Sequence, residues 1–413
     1  MKFIKKTFNI EHLCVSAITV LVIGLLYTII IRLEFLDPIG KVVEDLQMSD
    51  IYFQIHNTGP KEESELITLV DIGDLWQRDK IADVVEQVSQ QSPTLLALDV
   101  IFEGKQSDTI VDHRLASSIL ENENSSLPIV LATKLIEYDE EMNCFLGATR
   151  SFFVADSTLF VYNSIVEEGS VNMMNKVGTR VKSYPVYLMQ GEDTVFSLPA
   201  MVAHMLGTDV NLSKGSEQPI RFEGTTFPVV HYSDIEKERA KIENHIVLMG
   251  AANEESDKHF TPIGEISGME IIAYTIKSMV EKNGIIIGGL FWIILVALLA
   301  GYLMNVVELF SKQFFTRWLP RQFGKRSFLW ASFMVESEIY DKIVAFAFMV
   351  VFTFFTYMLY ANDIFYVNTW LALATVGFIE EGRLIYKAIL SYMKRKGLKF
   401  PLSSIYADEL TER

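Results

Sequence analysis

The sequence predicts an α/β domain, with a mostly parallel sheet flanked by helices and an antiparallel insertion, plus an α-helical membrane region of four spans. Three observations predict this combination. Long apolar segments occur near both ends of the chain, short apolar runs alternate with helical patterns between them, and charge is divided unevenly. A mean hydropathy of +0.25 with 21% charged residues suits membrane spans joined to a charged domain better than one globular body.

The predicted spans cover residues 13–31, 285–307, 343–360 and 364–379. A helix needs roughly 20 apolar residues to cross a hydrocarbon core about 30 Å thick. The last two spans are separated by three residues and predict a hairpin, although the fourth contains Asn368 and Thr369. The first run follows Lys2, Lys5 and Lys6, as a signal peptide would. Its length and the absence of a small-residue cleavage site in the sequence favour an uncleaved anchor.

Charge predicts the orientation of the chain. Residues 33–284 hold 19 Lys and Arg against 41 Asp and Glu, a net charge of −22, whereas the rest carries +6. Short basic flanks stay cytoplasmic, so we expect residues 1–12, 308–342 and 380–413 inside and residues 33–284 periplasmic or extracellular. The protein is then a multi-pass protein of the inner (cytoplasmic) membrane, with both termini cytoplasmic. The basic flanks suit an anionic lipid bilayer, and a total charge of −16 argues against nucleic acid as a partner.

Residues 33–284 alternate two patterns in order along the chain. Buried strands are predicted at residues 66–71, 95–99, 129–133 and 245–250, and helices at residues 78–90, 112–121 and 268–282. Near-continuous apolar strands alternating with amphipathic helices indicate a largely parallel sheet covered on both faces. Residues 150–235 are less regular, with alternating polar and apolar positions that predict the antiparallel insertion.

Acidic residues end two of the predicted strands, and ligands of open parallel sheets bind beyond the carboxyl ends of the strands. The candidate ligand-binding residues are Asp71, Asp74, Trp76, Arg78, Asp99, Glu103, Asp108, Asp257, His259 and Thr261. Such carboxylates could bind an extracytoplasmic small molecule, a protein or a hard cation. The simpler alternative is that they cap helices and complete turns. No cofactor is expected, and a divalent cation is left open.

Catalytic motifs are weak in this sequence. It contains no H-E-x-x-H, no G-x-S-x-G and no phosphate-binding loop. The enzymatic alternative is a membrane-tethered, metal-assisted hydrolase that uses Asp71, Asp99, Asp257 and His259, but the sequence favours a role without catalysis. Cys14 and Cys144 are too few for a disulfide framework and are predicted to stay unpaired.

The 308–342 segment mixes basic and aromatic residues. This composition is typical of an interfacial amphipathic segment, and it also suits a docking surface for a cytoplasmic partner. The candidate docking residues are Arg317, Trp318, Arg321, Lys325 and Arg326.

Several short motifs follow one another in a fixed order between residues 40 and 310. They are SDIYFQI with Asp50, ITLVDIGDL, TLLALDVIFEGKQSD, the Gly178–x–Arg180 step, and HIVLMGAANEESDKHFTP before SGMEIIAYTI. With these motifs the domain resembles CHASE type two, an extracellular sensory domain associated with bacterial cyclases and histidine kinases. Two departures concern the family's ligand site: Asn175-Lys176-Val177 stand where the family often has an aspartate, and Ile272 stands where it tends to have a histidine.

The resemblance implies the sensing of an extracytoplasmic stimulus. Relatives usually continue into a signalling domain, whereas here three predicted spans follow and the cytoplasmic pieces are about 35 residues each, too short for a cytoplasmic effector domain. We therefore expect a sensor that relays its signal through a separate signalling or envelope partner. A structural or assembly subunit of an envelope complex is an alternative, and a homodimer is also compatible with the sequence.

Overall fold

The computed structural model describes residues 9–32, 53, 61–120, 127–155, 165–173, 180–210, 217–222, 224–252, 257–281, 286–287, 290–318, 335, 337–362, 365–367 and 369–397. The chain forms two compact units. We call Phe53–Asn283 the domain unit, and Met1–Tyr52 together with Gly284–Arg413 the helical unit. Asp50, residues 175–177 and Gly178 lie outside the described residues.

The described helices are α1 (Ile10–Arg32), α2 (Arg78–Gln90), α3 (Thr109–Leu120), α4 (Phe152–Ala155), α5 (Leu198–Met205), α6 (Gly268–Val280), α7 (Leu290–Gln313), α8 (Glu338–Ala361), α9 (Trp370–Gly377) and α10 (Ile379–Arg395). The described strands are β1 (Glu62–Glu63), β2 (Ile67–Asp71), β3 (Leu95–Leu98), β4 (Ile129–Asp139), β5 (Cys144–Thr149), β6 (Val166–Ser170), β7 (Ser183–Pro185), β8 (Tyr187–Gln190), β9 (Asp193–Phe196), β10 (Glu217–Pro219), β11 (Thr225–Thr226), β12 (Val229–His231), β13 (Ile246–Gly250), β14 (Lys258–Thr261), β15 (Gly264–Ser267), β16 (Ile286–Ile287) and β17 (Phe365–Tyr366).

A largely parallel sheet forms the centre of the domain unit. Within the described residues the sheet has nine strands, in the order β12-β2-β13-β3-β4-β5-β8-β9, with β6 paired to β4. The pairs from β12 to β4, and the pair of β4 with β6, are parallel. Every residue of β2, β3 and β13 is buried, as strands covered on both faces require. The mixed α/β prediction is confirmed.

The antiparallel part begins earlier in the chain than residue 150. Strand β4 continues beyond the predicted end at residue 133, and its second half, from Lys134 to Asp139, pairs antiparallel with β5. Its first five residues are buried and most of the later ones are exposed, so the apolar run that predicted the strand ends before the strand does. The hairpin of β8 and β9 extends this part of the sheet.

Helices α2 and α3 cover one side of the parallel strands because each presents an apolar stripe. Ile81, Val85 and Val88 of α2 belong to one buried cluster with Leu115 and Ile119 of α3 and with side chains of β2, β3 and β13. The first turn of α6 is fixed by a capping box, in which Ser267 accepts from Glu270 N and the Glu270 carboxylate accepts from Ser267 N.

In the helical unit, three described helices are long and apolar enough to cross a membrane: Ile10–Thr28, Leu290–Thr316 and Ile339–Leu359. The predicted fourth span, residues 364–379, is not confirmed. That stretch contains β17 and then α9, which ends after eight residues at Gly377. Eight helical residues extend about 12 Å, far less than the hydrocarbon core. Cys14 and Cys144, both described, are free cysteines in the structure.

The helices of this unit approach each other closely at two glycines. A Cβ on Gly301 of α7 would lie 2.8 Å from Ser16 Oγ of α1 and 2.9 Å from Thr375 Cγ2 of α9. A Cβ on Gly382 of α10 would overlap Thr19 Oγ1 of α1. These contacts make α1 the helix on which α7 and α10 both pack.

Candidate functional site

Asp71, the last residue of β2, joins two loops at the carboxyl edge of the sheet. Its Oδ1 accepts hydrogen bonds from Gly73 N at 2.9 Å and from Ala252 N at 3.0 Å, and the residue is buried. These bonds complete turns after β2 and β13, the simpler of the two roles considered for it. Asp74 is exposed in the following loop, and the Trp76 side chain is 73% exposed.

Arg78 is buried at the start of α2 and holds the loop that follows β3. Its Nη1 lies 2.5 Å from Asp112 Oδ1, and its Nη2 donates to the carbonyls of Glu103 at 3.0 Å and Gly104 at 2.8 Å. The guanidinium also stacks 4.8 Å from the centre of the Phe152 ring. With its donors used in this way, Arg78 has a structural role in the present conformation.

The predicted residues Glu103 and Asp108 lie exposed in this loop, whereas Thr261 is a buried residue of β14. The Glu103 side chain is exposed, and only its backbone carbonyl takes part in the contact with Arg78. Asp108 is also exposed and caps α3, since its Oδ1 accepts from Ile110 N at 3.0 Å. Thr261 is buried, and its hydroxyl donates to the Gly264 carbonyl within the turn that joins β14 to β15.

Two of the predicted carboxylates, Asp99 and Asp257, interact electrostatically. Asp99 follows β3 and lies beside Gly250, where a Cβ would be 3.2 Å from Asp99 Cβ. Removal of its carboxyl group from water raises the pKa of Asp99 to about 7, and the charge of Asp257 adds to the rise. Asp257 accepts from Gly268 N at 3.1 Å, and its Oδ1 lies 3.4 Å from His259 Nε2.

Sequence reasoning missed Tyr184, which belongs to the same group. The side chain is fully buried in β7, and its hydroxyl has no hydrogen-bond partner among the described residues. Burial raises the pKa of Tyr184, and the charges of Asp99 and Asp257 raise it further. Nothing in the short SYP strand distinguishes this tyrosine from a core residue. Its proximity to the two aspartates can be recognised only in the structure. We call Asp99, Asp257 and Tyr184 the Asp99 cluster.

The Asp99 cluster can accept hydrogen bonds from the donor groups of a ligand, or it can exchange a proton near neutral pH. A carboxyl group with a pKa of about 7 changes charge within the range where most side chains do not. Within the described part of the chain, no group of three or more His, Cys, Asp or Glu residues is arranged to hold a metal ion.

Replacing Asp99 by asparagine is expected to flatten the pH dependence of unfolding. Asp99 has a raised pKa in the folded state, so the folded protein binds more protons than the unfolded chain between pH 4 and 7. Stability therefore falls as pH rises through this window. At pH 8, above both pKa values, the Asp99→Asn variant should be more stable than the wild type by up to about 4 kcal/mol, and at pH 4 it should be nearly equal.

Thermal unfolding of the full-length protein between pH 4.5 and 8.5 measures this difference. Asp74→Asn is the matched control, because Asp74 is an exposed carboxylate of the same edge and should leave the slope unchanged. If stability depends on pH in the Asp99→Asn variant as steeply as in the wild type, the raised pKa does not belong to Asp99.

A second polar group lies in the helical unit. Arg383 of α10 binds Glu308 of α7 through both guanidinium Nη atoms, with Nη1 2.8 Å from Oε1, and its Nε donates to Asn305 Oδ1 at 2.7 Å. Lys312 Nζ lies 2.8 Å from Glu308 Oε1 and 2.8 Å from Asp341 Oδ1 of α8. The Glu308 side chain is only 5% exposed. We call these five residues the Glu308 network.

The Glu308 network was not predicted, although a signal was present. Glu308 ends the longest apolar run, and Lys312 follows it at the i, i+4 spacing of a helical ion pair. Ionisable residues within membrane helices face the bundle interior and pair with one another. Of the predicted docking residues, Arg317 and Trp318 end a π-helical stretch after α7, while Arg321, Lys325 and Arg326 lie outside the described residues.

The fold and these sites define a class: a membrane protein with a mixed α/β domain placed in the sequence between two membrane-capable helices. The sequence model of the CHASE2 domain matches residues 18–303, which is more than half of the chain. The protein therefore belongs to the CHASE2 domain family, a family of sensory domains, and the resemblance drawn from its motifs is confirmed. No curated protein and no solved structure matches the chain.

Proposed function

We propose that this protein is an integral membrane sensor that receives an extracytoplasmic stimulus and relays it through a separate partner protein. One observation carries the proposal: the two helices that flank the sensory domain in sequence, α1 and α7, pack directly on each other. Val15 of α1 shares a buried cluster with Ala297 and Ala300 of α7, and Ser16 meets Gly301. A change in the relative position of the two ends of the domain would therefore alter the contact between α1 and α7.

The charge distribution supports an inner-membrane protein with cytoplasmic termini and an outer, periplasmic or extracellular, domain. Contacts within the helical unit support the part of this arrangement that concerns which helix ends lie together. The Tyr386 hydroxyl lies 3.2 Å from Glu11 Oε1, Arg383 binds Glu308, and Lys312 binds Asp341.

These contacts bring the starts of α1, α8 and α10 to the same end of the helical unit as the end of α7. Helix α8 leads away from that end, so the chain must return to it before α10 begins. We infer that β17, α9 and the first turn of α10 together complete a fourth crossing, which keeps both termini on one side.

The relay is proposed to act through the basic end of the helical unit. A relay of this kind requires an equilibrium between two conformations of the protein. A stimulus shifts that equilibrium only if it binds the two conformations with different affinity. The partner would contact the segment that contains Arg317, Trp318, Arg321, Lys325 and Arg326, together with the surface of α10. Helix α10 exposes apolar side chains beside basic ones at this end, namely Leu384, Ile385, Ile389 and Tyr392.

Photo-crosslinking in the native membrane tests the relay. A photoreactive amino acid is placed at Tyr392, whose side chain is 60% exposed on α10, and separately at Trp76 on the domain unit as the control position. We expect position 392, and not position 76, to capture a cytoplasmic signalling protein. Capture of envelope-complex subunits from both positions would instead favour an assembly role and overturn the proposal.

A further inference from the structure

The domain unit contains a cavity of about 310 Å³, lined by side chains from β4, β6, β9 and α5. Its apolar wall includes Leu131, Val195, Phe196 and Met201. This volume lies at the small end of the range of small-molecule sites, about 300–1,000 Å³, and such sites combine apolar walls with a few placed polar groups. None of the residues predicted from the sequence lines this cavity.

The polar groups of the cavity are Arg150, Glu167 and Glu168. The Glu168 side chain is 20% exposed, and its Oε2 lies 3.6 Å from Arg150 Nε, an ion-pair distance too long for a hydrogen bond. Its other oxygen, Oε1, is buried and has no hydrogen-bond donor among the described residues. Burial raises the pKa of Glu168 in spite of Arg150, and Glu167 adds to the rise.

The Glu168 carboxylate lines the cavity and is 3.6 Å from Arg150, so its charge is only loosely paired, and this charge indicates the chemistry of the ligand. Glu167, Glu168 and Arg150 together carry one net negative charge, so a monovalent cation would neutralise the cavity. An ammonium group brings three donors and a positive charge and forms a strong, charge-assisted bond with a carboxylate. A neutral ligand would leave the charge uncompensated, and an anion would be repelled by it.

We propose that this cavity binds a small organic amine, with its ammonium group paired with the Glu168 carboxylate and a short apolar body against Phe196 and Met201. The inference rests on the proposed sensor function, since the amine would be the stimulus. It gives the chemical class that the cavity recognises: one positive charge on a body of a few carbon atoms.

Calorimetric titration of the full-length protein in lipid nanodiscs at pH 7.5 tests the ligand class. The probes are 3-methylbutylamine, the isosteric alcohol 3-methylbutanol and the anion 4-methylpentanoate. We expect the amine to bind at least about tenfold more tightly than the alcohol, because a hydrogen bond to a charged group is lost in the alcohol complex. No binding is expected for the anion. Equal affinity for amine and alcohol would overturn the inference.

Two variants locate the binding to this cavity. Glu168→Gln should weaken amine binding at least about tenfold, whereas Glu236→Gln, an exposed glutamate outside the cavity, should not. Val166→Phe fills the cavity and should abolish binding while the circular dichroism spectrum stays that of the wild type. If both Glu168→Gln and Val166→Phe bind the amine with wild-type affinity, the amine does not bind in this cavity.

The relay is read separately from binding. Crosslinking from Tyr392 is repeated with and without saturating amine. If the amine binds and the crosslinks do not change, the cavity assignment is supported and the amine is not the stimulus of the relay. If no amine binds while Tyr392 still captures a cytoplasmic signalling protein, the cavity inference fails and the proposed function stands.

Discussion

Replacing Arg383 by methionine is expected to destabilise the helical unit by about 3–5 kcal/mol, because it leaves a buried carboxylate without its main partner. Glu308 accepts two bonds from the Arg383 guanidinium and is almost completely buried. Lys312 stays within reach of Glu308, but it is shared with Asp341 and does not offer the paired geometry of a guanidinium. The Arg383→Met variant therefore loses stability because the Glu308 carboxylate stays charged where water cannot solvate it.

Denaturant titration of the full-length protein in bicelles, followed by circular dichroism, measures the change. Arg114→Met is the control, because Arg114 pairs with Asp83 in the domain unit while both side chains are exposed by more than 40%, and such pairs contribute less than about 1 kcal/mol. The double variant Arg383→Met with Glu308→Met removes both charges and should recover most of the loss. A single Arg383→Met variant as stable as the wild type would show that the pair is not formed.

The buried strands of the domain unit could be predicted from the sequence because burial on both faces leaves a local pattern. The runs that contain Ile67, Leu95 and Ile246 are short, apolar and bounded by polar residues, and each is a fully buried parallel strand. The second half of β4 has no such pattern, since most of it is exposed. Its pairing with β5 is decided by the hairpin that follows, which composition alone does not show.

The candidate site could be predicted only at the level of strand ends. Asp71 and Asp99 lie at the carboxyl edge of the sheet, as parallel topology requires. What each does depends on groups that are distant in sequence. Asp71 is held by the backbone of Ala252, and Arg78 is held by Asp112. The cavity at Glu168 depends on strands and helices that no linear motif brings together, so neither it nor Tyr184 could be found from spacing.

The fourth span shows a similar limit. Hydropathy identifies apolar residues but does not determine where a helix stops, and residues 364–379 are apolar enough to suggest a crossing. In the structure, α9 ends at Gly377, and the chain starts a new helix at Ile379. The contacts of Arg383 and Tyr386, which lie beyond the apolar run, hold α10 against α7 and α1. The path of the chain is therefore set by polar side chains that a hydropathy window treats only as boundaries.

Replacing Gly169 by alanine is expected to destabilise the domain unit by about 3 kcal/mol, the upper part of the range for overpacking. A Cβ at this position would lie 2.5 Å from Leu198 Cα and 2.8 Å from Leu198 N. Both are backbone atoms at the start of α5, so no side-chain rotation can relieve the contact. Gly169 is also paired with Ala132 of β4, and β6 cannot move away without loss of sheet hydrogen bonds.

Gly147→Ala is the matched control, because the added Cβ would meet only side-chain atoms, Ile136 Cγ1 at 3.2 Å and Cδ1 at 3.5 Å. A side chain can change rotamer at a cost of about 1 kcal/mol, so the control should lose much less stability. Denaturant unfolding of the full-length variants, followed by circular dichroism, measures both. Equal losses in the two variants would contradict the close contact between β6 and α5. Glu168 precedes Gly169 in β6, and Met201 lies on α5, so a displacement at Gly169 should also widen the amine cavity. We therefore expect Gly169→Ala to weaken the binding of 3-methylbutylamine. Gly147→Ala should leave this binding unchanged.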